Sequence, residues 1–208
     1  MTEKKYHHGN LKAAILQSAL RRAAESGPTG ISVREIAREL HVSPPAIYRH
    51  YTNQLDLIRA TQQAIFDIIA QFIDKDMLVL EVANTSEPQQ SLQQLRAIAL
   101  GYIHFGLAEP GLFRTGAYYN SDDPSDTGTP SYDTVGKPLQ YQRAALNNLV
   151  KYGYIQSDMI DVYTSVLWAL AHGLTILLID KQIPVRSESE LDALINTTVD
   201  IVMRGLEQ

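Results

Sequence analysis

The 208-residue chain has no cysteine, which removes disulfide frameworks, thiolate nucleophiles and Cys-ligated metals together and is compatible with a reducing compartment. It has no apolar run near its start. MTEKKYHHGNLK is polar, which argues against an ordinary secretory signal. The longest apolar stretch, within Val166–Ile179, is interrupted by His172, Gly173 and Thr175, and reads as too short and too polar to span a bilayer. There is no phosphate loop, dinucleotide-binding Gly motif or Gly-x-Ser-x-Gly elbow, so the common signatures of nucleotide enzymes and hydrolases are missing. Metal ligands are scarce as well. His104 and His172 are the only histidines after residue 60, and Asp122, Asp123 and Asp126 lack the spacing and final Glu of a calcium loop. The expectation is a soluble cytoplasmic protein without metal or cofactor that is not an enzyme.

The net charge of −5 conceals a division. Residues 1–60 carry nine Lys/Arg against five Asp/Glu, a balance of +4 with four histidines besides, whereas residues 61–208 balance at −9. A basic head on an acidic body is the distribution expected when only the head meets phosphates.

Within that head lies the best-specified stretch, ISVREIARELHVSPPAIYRHY over Ile31–Tyr51. Ser32 and Glu35 read as a Ser-x-x-Glu capping box, and Val33, Ile36, Ala37 and Leu40 fall on one helical face. Ser43 is a preferred N-cap, followed by Pro44 at the first helical position, where a missing N–H costs little. Val42 and Ile47 match a hydrophobic staple. Two short helices joined by a tight turn describe a helix-turn-helix. Helices this short are marginal alone, so a preceding helix from about Asn10 to Ser26, stopped at Gly27-Pro28, is expected to support them. The shared core would be Ile15, Ile31, Ile36, Leu40, Val42, Ile47 and Tyr51.

The rest of the chain is helical in period, with no sustained strand alternation. A long linking helix is expected from Gln54 to Asp74 or beyond, then a break over Glu81–Pro88. Helices follow over Ser91–Ala108, Pro110–Tyr119, Lys137–Tyr152, Ser157–Lys181 and Ser187–Leu206, the last opened by a Ser187/Glu190 capping box. Asn120–Val135 lacks periodicity and reads as a loop. The expected architecture is all-α, about nine helices, with a DNA-binding domain over residues 1–53 and a helical body over 54–208.

The string Ala24-Glu25-Ser26-Gly27, Ile31–Ala37, Val42-Ser43 and Ile47-Tyr48-Arg49-His50-Tyr51 resembles the TetR/AcrR family of bacterial transcription regulators. Glu109–Phe113 and Trp168–Gly173 further resemble the subgroup whose C-terminal region carries a Trp-His-Gly signature. One departure is visible: the family usually places a lysine at the start of the linking helix, where this chain has Gln54, so a neutral hydrogen bond would replace an ionic phosphate contact.

On this reading double-stranded DNA is the partner. Pro45, Ala46 and Arg49 face outward from the second helix. Arg49 suits guanine O6/N7, and Pro45 or Ala46 a thymine methyl. Tyr48 and His50 match the family's Tyr-x-His pair and would donate to phosphates, with Ser32, Arg34, Ser43 and Gln54 as further backbone contacts. A homodimer is implied, its interface drawn from the final helix through Leu191, Ile195, Thr198, Val202 and Leu206. An unidentified small, largely apolar effector would enter a cavity in the body. Its candidate lining is Phe66, Tyr102, His104, Phe105 and Phe113, with Tyr118, Tyr141, Trp168 and His172. Plain core packing is the competing account of each aromatic. The resemblance implies a repressor; the alternative is an all-α small-molecule-binding protein or enzyme with an incidental helix-turn-helix.

Overall fold

A computed structural model describes residues 11–78, 86–117 and 136–206. The expected loop over 120–135, the aspartates in it, Tyr118 and the polar N-terminal residues 1–10 lie outside them. The described residues form nine α-helices and no strand: α1 (Leu11–Ser26), α2 (Val33–Glu39), α3 (Pro44–Tyr48), α4 (Gln54–Leu78), α5 (Glu87–Ala108), α6 (Pro110–Gly116), α7 (Lys137–Lys151), α8 (Ile160–Ile179) and α9 (Glu188–Leu206). The all-α expectation is met. α5 starts earlier than the periodicity suggested, because Pro88 stands in its first turn, where no donor is needed, and the Ser86 N–H is taken by Gln89 Oε1 at 3.1 Å.

The chain packs as two compact units that part within α4, between residues 65 and 66. The first comprises residues 11–65 with 109–117. Ile15, Ala19, Ile31, Ile36, Leu40, Ile47 and Tyr51 are buried in it, whereas Val42 is only half-buried. Each large aliphatic side chain so buried contributes about 1.5–3 kcal/mol, which is how seven- and five-residue helices persist. α6 belongs to this unit. Gly111 brings its backbone onto the C-terminal end of α1, so close that a Cβ would lie 2.1 Å from the Ala24 carbonyl oxygen. Gln62 Nε2 donates to the Thr115 carbonyl at 3.1 Å.

In the second unit, residues 66–78, 86–108 and 136–206, the core joins α5, α7, α8 and α9 through Leu95, Ile103, Leu146, Leu149, Leu167, Ile195 and Val199. Taken by length and composition alone, Ser157–Ile179 is sufficient to cross a membrane, with mean hydropathy 1.8. This corrects the expectation that the stretch is too short and too polar; Ile160–Leu167 extends the apolar run upstream of the segment considered there.

The helix starts differ from the sequence pattern in one instructive way. Ser32 and Ser43 occupy the N-cap positions of α2 and α3 with extended backbone, yet neither hydroxyl caps its helix. Glu35 pairs instead with Arg22 of α1. At α9 the expected Ser187/Glu190 pair forms: the Glu190 N–H donates to Ser187 Oγ at 3.1 Å, while the Glu190 carboxylate reaches back one residue beyond the cap and accepts from the Arg186 N–H at 2.8 Å. The same reciprocal pattern, unforeseen, starts α4, where Asn53 Oδ1 accepts from the Asp56 N–H and Asp56 from the Thr52 N–H.

Candidate nucleic-acid interface

α2 and α3 meet at a turn closed by backbone. The Leu40 N–H reaches the Ile36 carbonyl, the His41 N–H that of Arg38, and the Val42 N–H that of Ala37, with His41 in the left-handed region at φ 55°. This is the 6→1 closure that commonly ends helices, with histidine where glycine is usual. α3 follows its N-cap Ser43 and buries Ile47, and Tyr51 just beyond the helix is buried with it. That seating turns Pro45, Tyr48 and Arg49 outward: all three are exposed, Tyr48 at 48%, while Ala46 and His50 are half-buried. The Tyr51 hydroxyl bonds to the Lys12 carbonyl at 3.4 Å, and burial, aided by the Asp56 charge, raises its pKa.

The charges around this face are sorted. Glu39 at the end of α2 accepts from the buried Ser18 Oγ at 2.9 Å and pairs with Arg21 and Arg22 of α1, and Arg22 also holds Glu35 and donates to the Gly30 carbonyl at 3.0 Å. The acids of α2 are thus occupied on the α1 side. Arg34, Arg38 and Arg49 are exposed and have no ion-pair partner among the described residues. Of the sequence-derived set, Arg34, Ser43, Pro45, Tyr48 and Arg49 lie exposed on α2–α3 and Ser32 is half-buried at the start of α2. Gln54 stands apart, its Nε2 donating to the Ile31 carbonyl at 2.9 Å. Sequence reasoning missed the Glu39 cluster and the His41 turn; only the non-glycine residue between two helix patterns hinted at the latter.

The body candidates do not form one set. Tyr102, Trp168 and His172 come together: the Tyr102 hydroxyl lies 3.0 Å from His172 Nδ1, and the Trp168 indole N–H donates to the same oxygen at 3.4 Å. Burial pushes the Tyr102 hydroxyl up to about 12 and lowers His172 below its ordinary value. Phe105 is fully buried and meets Phe72 edge-on at 5.5 Å, as a core residue does. Phe66 lies against the Gly136 backbone, and Tyr141 is half-buried. His104 is exposed and bonds to Asp76 at 2.9 Å. Phe113 is buried in the other unit. No group of three or more potential metal ligands occurs among the described residues.

The stripe expected at a dimer interface is engaged within the chain. Ile195 and Leu206 are buried, Leu191 and Val202 pack against the core of the second unit, and Thr198 is half-buried. The uncovered apolar residues lie on other faces: Val162, Val166 and Leu177 of α8, and Ile201 of α9, at 64% exposure. Along α8, residues 162, 166, 169, 173 and 177 repeat at helical spacing, and a Cβ on Gly173 would meet nothing.

Comparison with known proteins follows this division. Residues 15–61 match the family model described as bacterial regulatory proteins, tetR family, and residues 95–202 match that described as tetracyclin repressor-like, C-terminal domain. An uncharacterised HTH-type transcriptional regulator, YobS of Bacillus subtilis, is 23% identical over 89% of this chain and 87% of its own length. The nucleoid occlusion factor SlmA of Cronobacter sakazakii is 29% identical over 55% of this chain, which spans about half of that relative, 54%. Among solved structures, a Rhodococcus protein of unknown function superposes with a TM-score of 0.67 at 21% identity, covering 99% of this chain and 100% of that one. A TetR variant from Acinetobacter baumannii in complex with minocycline gives 0.62 at 17% identity over 94% and 92%. FadR of Bacillus subtilis with stearoyl-CoA gives 0.53 at 15% identity over 93% and 98%.

Proposed function

The chain belongs to the TetR family of bacterial regulatory proteins, whose members are transcriptional regulators rather than enzymes, and from that premise we propose that it is a cytoplasmic repressor without enzymatic activity. It binds a palindromic operator as a homodimer and leaves it when a small, largely apolar effector binds. The observation that carries the DNA role is the sorting of charge on α2–α3. Arg34, Arg38 and Arg49 are exposed without acid partners among the described residues, while Glu35 and Glu39 are engaged by Arg22 and Arg21. Arg49, with Pro45 and Ala46 beside it, reads base edges. Tyr48, His50, Ser32, Ser43 and Arg34 contact phosphates and set the register. Residues 1–53 carry this task, and 54–208 carry effector binding and dimerisation.

A two-fold pair puts its reading helices about 34–36 Å apart. The uncovered face of α8, with Val162, Val166 and Leu177, supports a second copy as its cover, with Ile201 of α9 as a further uncovered residue. For the effector, the Tyr102–Trp168–His172 group supports an apolar ligand with one polar contact. Relatives of the fold with minocycline or stearoyl-CoA bound are consistent with an effector of that kind. Effector binding must favour a body conformation in which the linking helix is tilted and the heads no longer match their half-sites. The coupling is reciprocal, so operator weakens effector binding by the same factor.

The test is selection of duplexes from a random pool. A palindrome is expected, with Arg49→Ala losing affinity chiefly for it and Tyr48→Phe weakening all sequences alike. Retention on neither DNA nor heparin would reject the DNA role, and equal losses on selected and random duplex for both variants would reject the division of labour.

A further inference from the structure

Ile31 ends the single 3-10 turn after α1, and its side chain is fully buried. Its carbonyl lies one residue ahead of the helical ladder of α2, whose first bond runs from the Ile36 N–H to the Ser32 carbonyl at 3.0 Å. α2 therefore has no donor for it. Gln54, the first residue of α4, supplies one through Nε2 at 2.9 Å. The backbone of Gln54 is itself fixed by the cap beside it, where Asn53 Oδ1 accepts from the Asp56 N–H at 2.8 Å and Asp56 accepts from the Thr52 N–H at 2.7 Å. Tyr51 makes a second tie at this joint, from its hydroxyl to the Lys12 carbonyl.

We propose that Gln54 is a positioning residue of the DNA-reading head: its carboxamide fastens the first turn of α4 to the carbonyl ahead of α2, and so sets the seat of α2 and α3 instead of gripping phosphate. The physical ground is twofold. A carbonyl next to a fully buried side chain needs a donor, and the donor that reaches it belongs to α4, not to α2. α3 has five residues and is tied to α2 by the backbone-closed turn at His41, so the seat of α2 decides where Pro45 and Arg49 point. α4 continues as one helix past residue 65, so a change in the pitch of its first turn reaches α2 through this side chain. Only the DNA arm of the test rests on the DNA-binding reading.

Two variants of the full chain decide it. Gln54→Met keeps length and loses the donor; Gln54→Lys places a cation at the same point. Without DNA, hydrogen exchange of the α2 amides 36–40 is expected to be about tenfold faster in Gln54→Met, with α8 unchanged. With DNA, Gln54→Met is expected to lose about tenfold in affinity for a duplex selected by the wild-type protein, and less than about twofold for a random-sequence duplex. Gln54→Lys is expected to leave the slope of log affinity against log salt unchanged. A slope steeper by about 0.9 per subunit in Gln54→Lys would set position 54 against phosphate and overturn the proposal. Unchanged α2 exchange in Gln54→Met would overturn it as well. If the wild-type chain binds no duplex, the DNA reading fails, and exchange still decides the role of Gln54.

Discussion

Tyr102 of α5 and His172 of α8 are joined at 3.0 Å through the phenolic oxygen and Nδ1, with the Trp168 indole N–H directed at the same oxygen. Burial acts on both partners in the direction that keeps them neutral, raising the phenol to about 12 and lowering the imidazole. Both groups are therefore neutral, and one proton lies between the phenolic oxygen and Nδ1, on the oxygen or on the nitrogen according to the histidine tautomer. Protonating His172 would make Nδ1 a donor to the phenolic oxygen, which already accepts from the Trp168 indole.

Tyr102→Phe removes the middle of that group and leaves the indole N–H and Nδ1 facing a ring edge. The expected loss is about 1–2 kcal/mol of stability, read as a lower urea midpoint at unchanged slope. Trp168 is the single tryptophan, so its emission reports the site directly and is expected to shift. A midpoint within about 0.3 kcal/mol of wild type would mean that the group does not stabilise the fold.

The pH dependence follows with a definite sign. The folded pKa of His172 lies below its ordinary 6.5, so the unfolded chain binds more protons between the two values. The contribution of neutral His172 is fully present above about pH 6.5 and is lost as pH falls through the folded pKa. His172→Asn retains an acceptor but cannot titrate. The Tm of wild type minus that of His172→Asn is expected to decrease from pH 7.5 to 5; a constant difference would show that His172 is not held neutral by the fold.

Helix periodicity and stop signals made the order of elements legible, and Ile15, Ile31, Ile36 and Ile47 could be placed in the first core because one face of each short helix is apolar. The partners of the polar residues were not legible. Glu35 satisfies a capping-box pattern with Ser32, yet an arginine of α1 offers a full charge where the cap offers an N–H, and a single helix pattern contains no α1. The final helix shows the same limit. Leu191, Ile195, Val202 and Leu206 form a real apolar stripe, but a stripe does not say whether its cover comes from the same chain, and here α5 and α8 pack against α9. Phe113 could not be assigned to the first unit before α6 was seen against α1.

That contact gives a prediction about packing. A Cβ on Gly111 would stand 2.1 Å from the Ala24 carbonyl oxygen and 2.5 Å from that of Ala23, both backbone atoms at the end of α1. Gly111→Ala must therefore displace α6 or unwind the last turn of α1, at about 1–3 kcal/mol. The loss should appear as faster hydrogen exchange in α6 and the end of α1. Gly173→Ala, where a Cβ meets nothing, is the matched control and is expected to cost little as a monomer effect.

The uncovered face of α8 predicts a change of association instead of folding. Val166 is 45% exposed on the repeat of residues 162, 166, 169, 173 and 177. Val166→Asp places a charge at the centre of the proposed contact between copies, where it would be desolvated without a partner, a cost of several kcal/mol. Sedimentation is expected to show a two-chain species for wild type and single chains for the variant, with unchanged far-UV circular dichroism. A wild-type protein of one chain at high micromolar concentration would reject this use of α8.

The turn at His41 supplies the last test, because strain and function lie at one residue. A non-glycine residue at φ 55° costs about 1–2 kcal/mol relative to its right-handed conformation, whereas glycine is free of that cost but loses about 0.5–1 kcal/mol of entropy on ordering. His41 is exposed, and its backbone N–H bonds to the Arg38 carbonyl whatever its side chain. His41→Gly is therefore expected to stabilise the chain by about 0.5–1 kcal/mol, and His41→Val to destabilise it, since a β-branched side chain crowds the left-handed backbone. The ordering Gly above His above Val in Tm follows from φ alone. If His41→Gly instead lowers Tm, the imidazole must stabilise the turn by more than its backbone conformation costs, and the left-handed closure would not be the determinant of how α3 leaves α2.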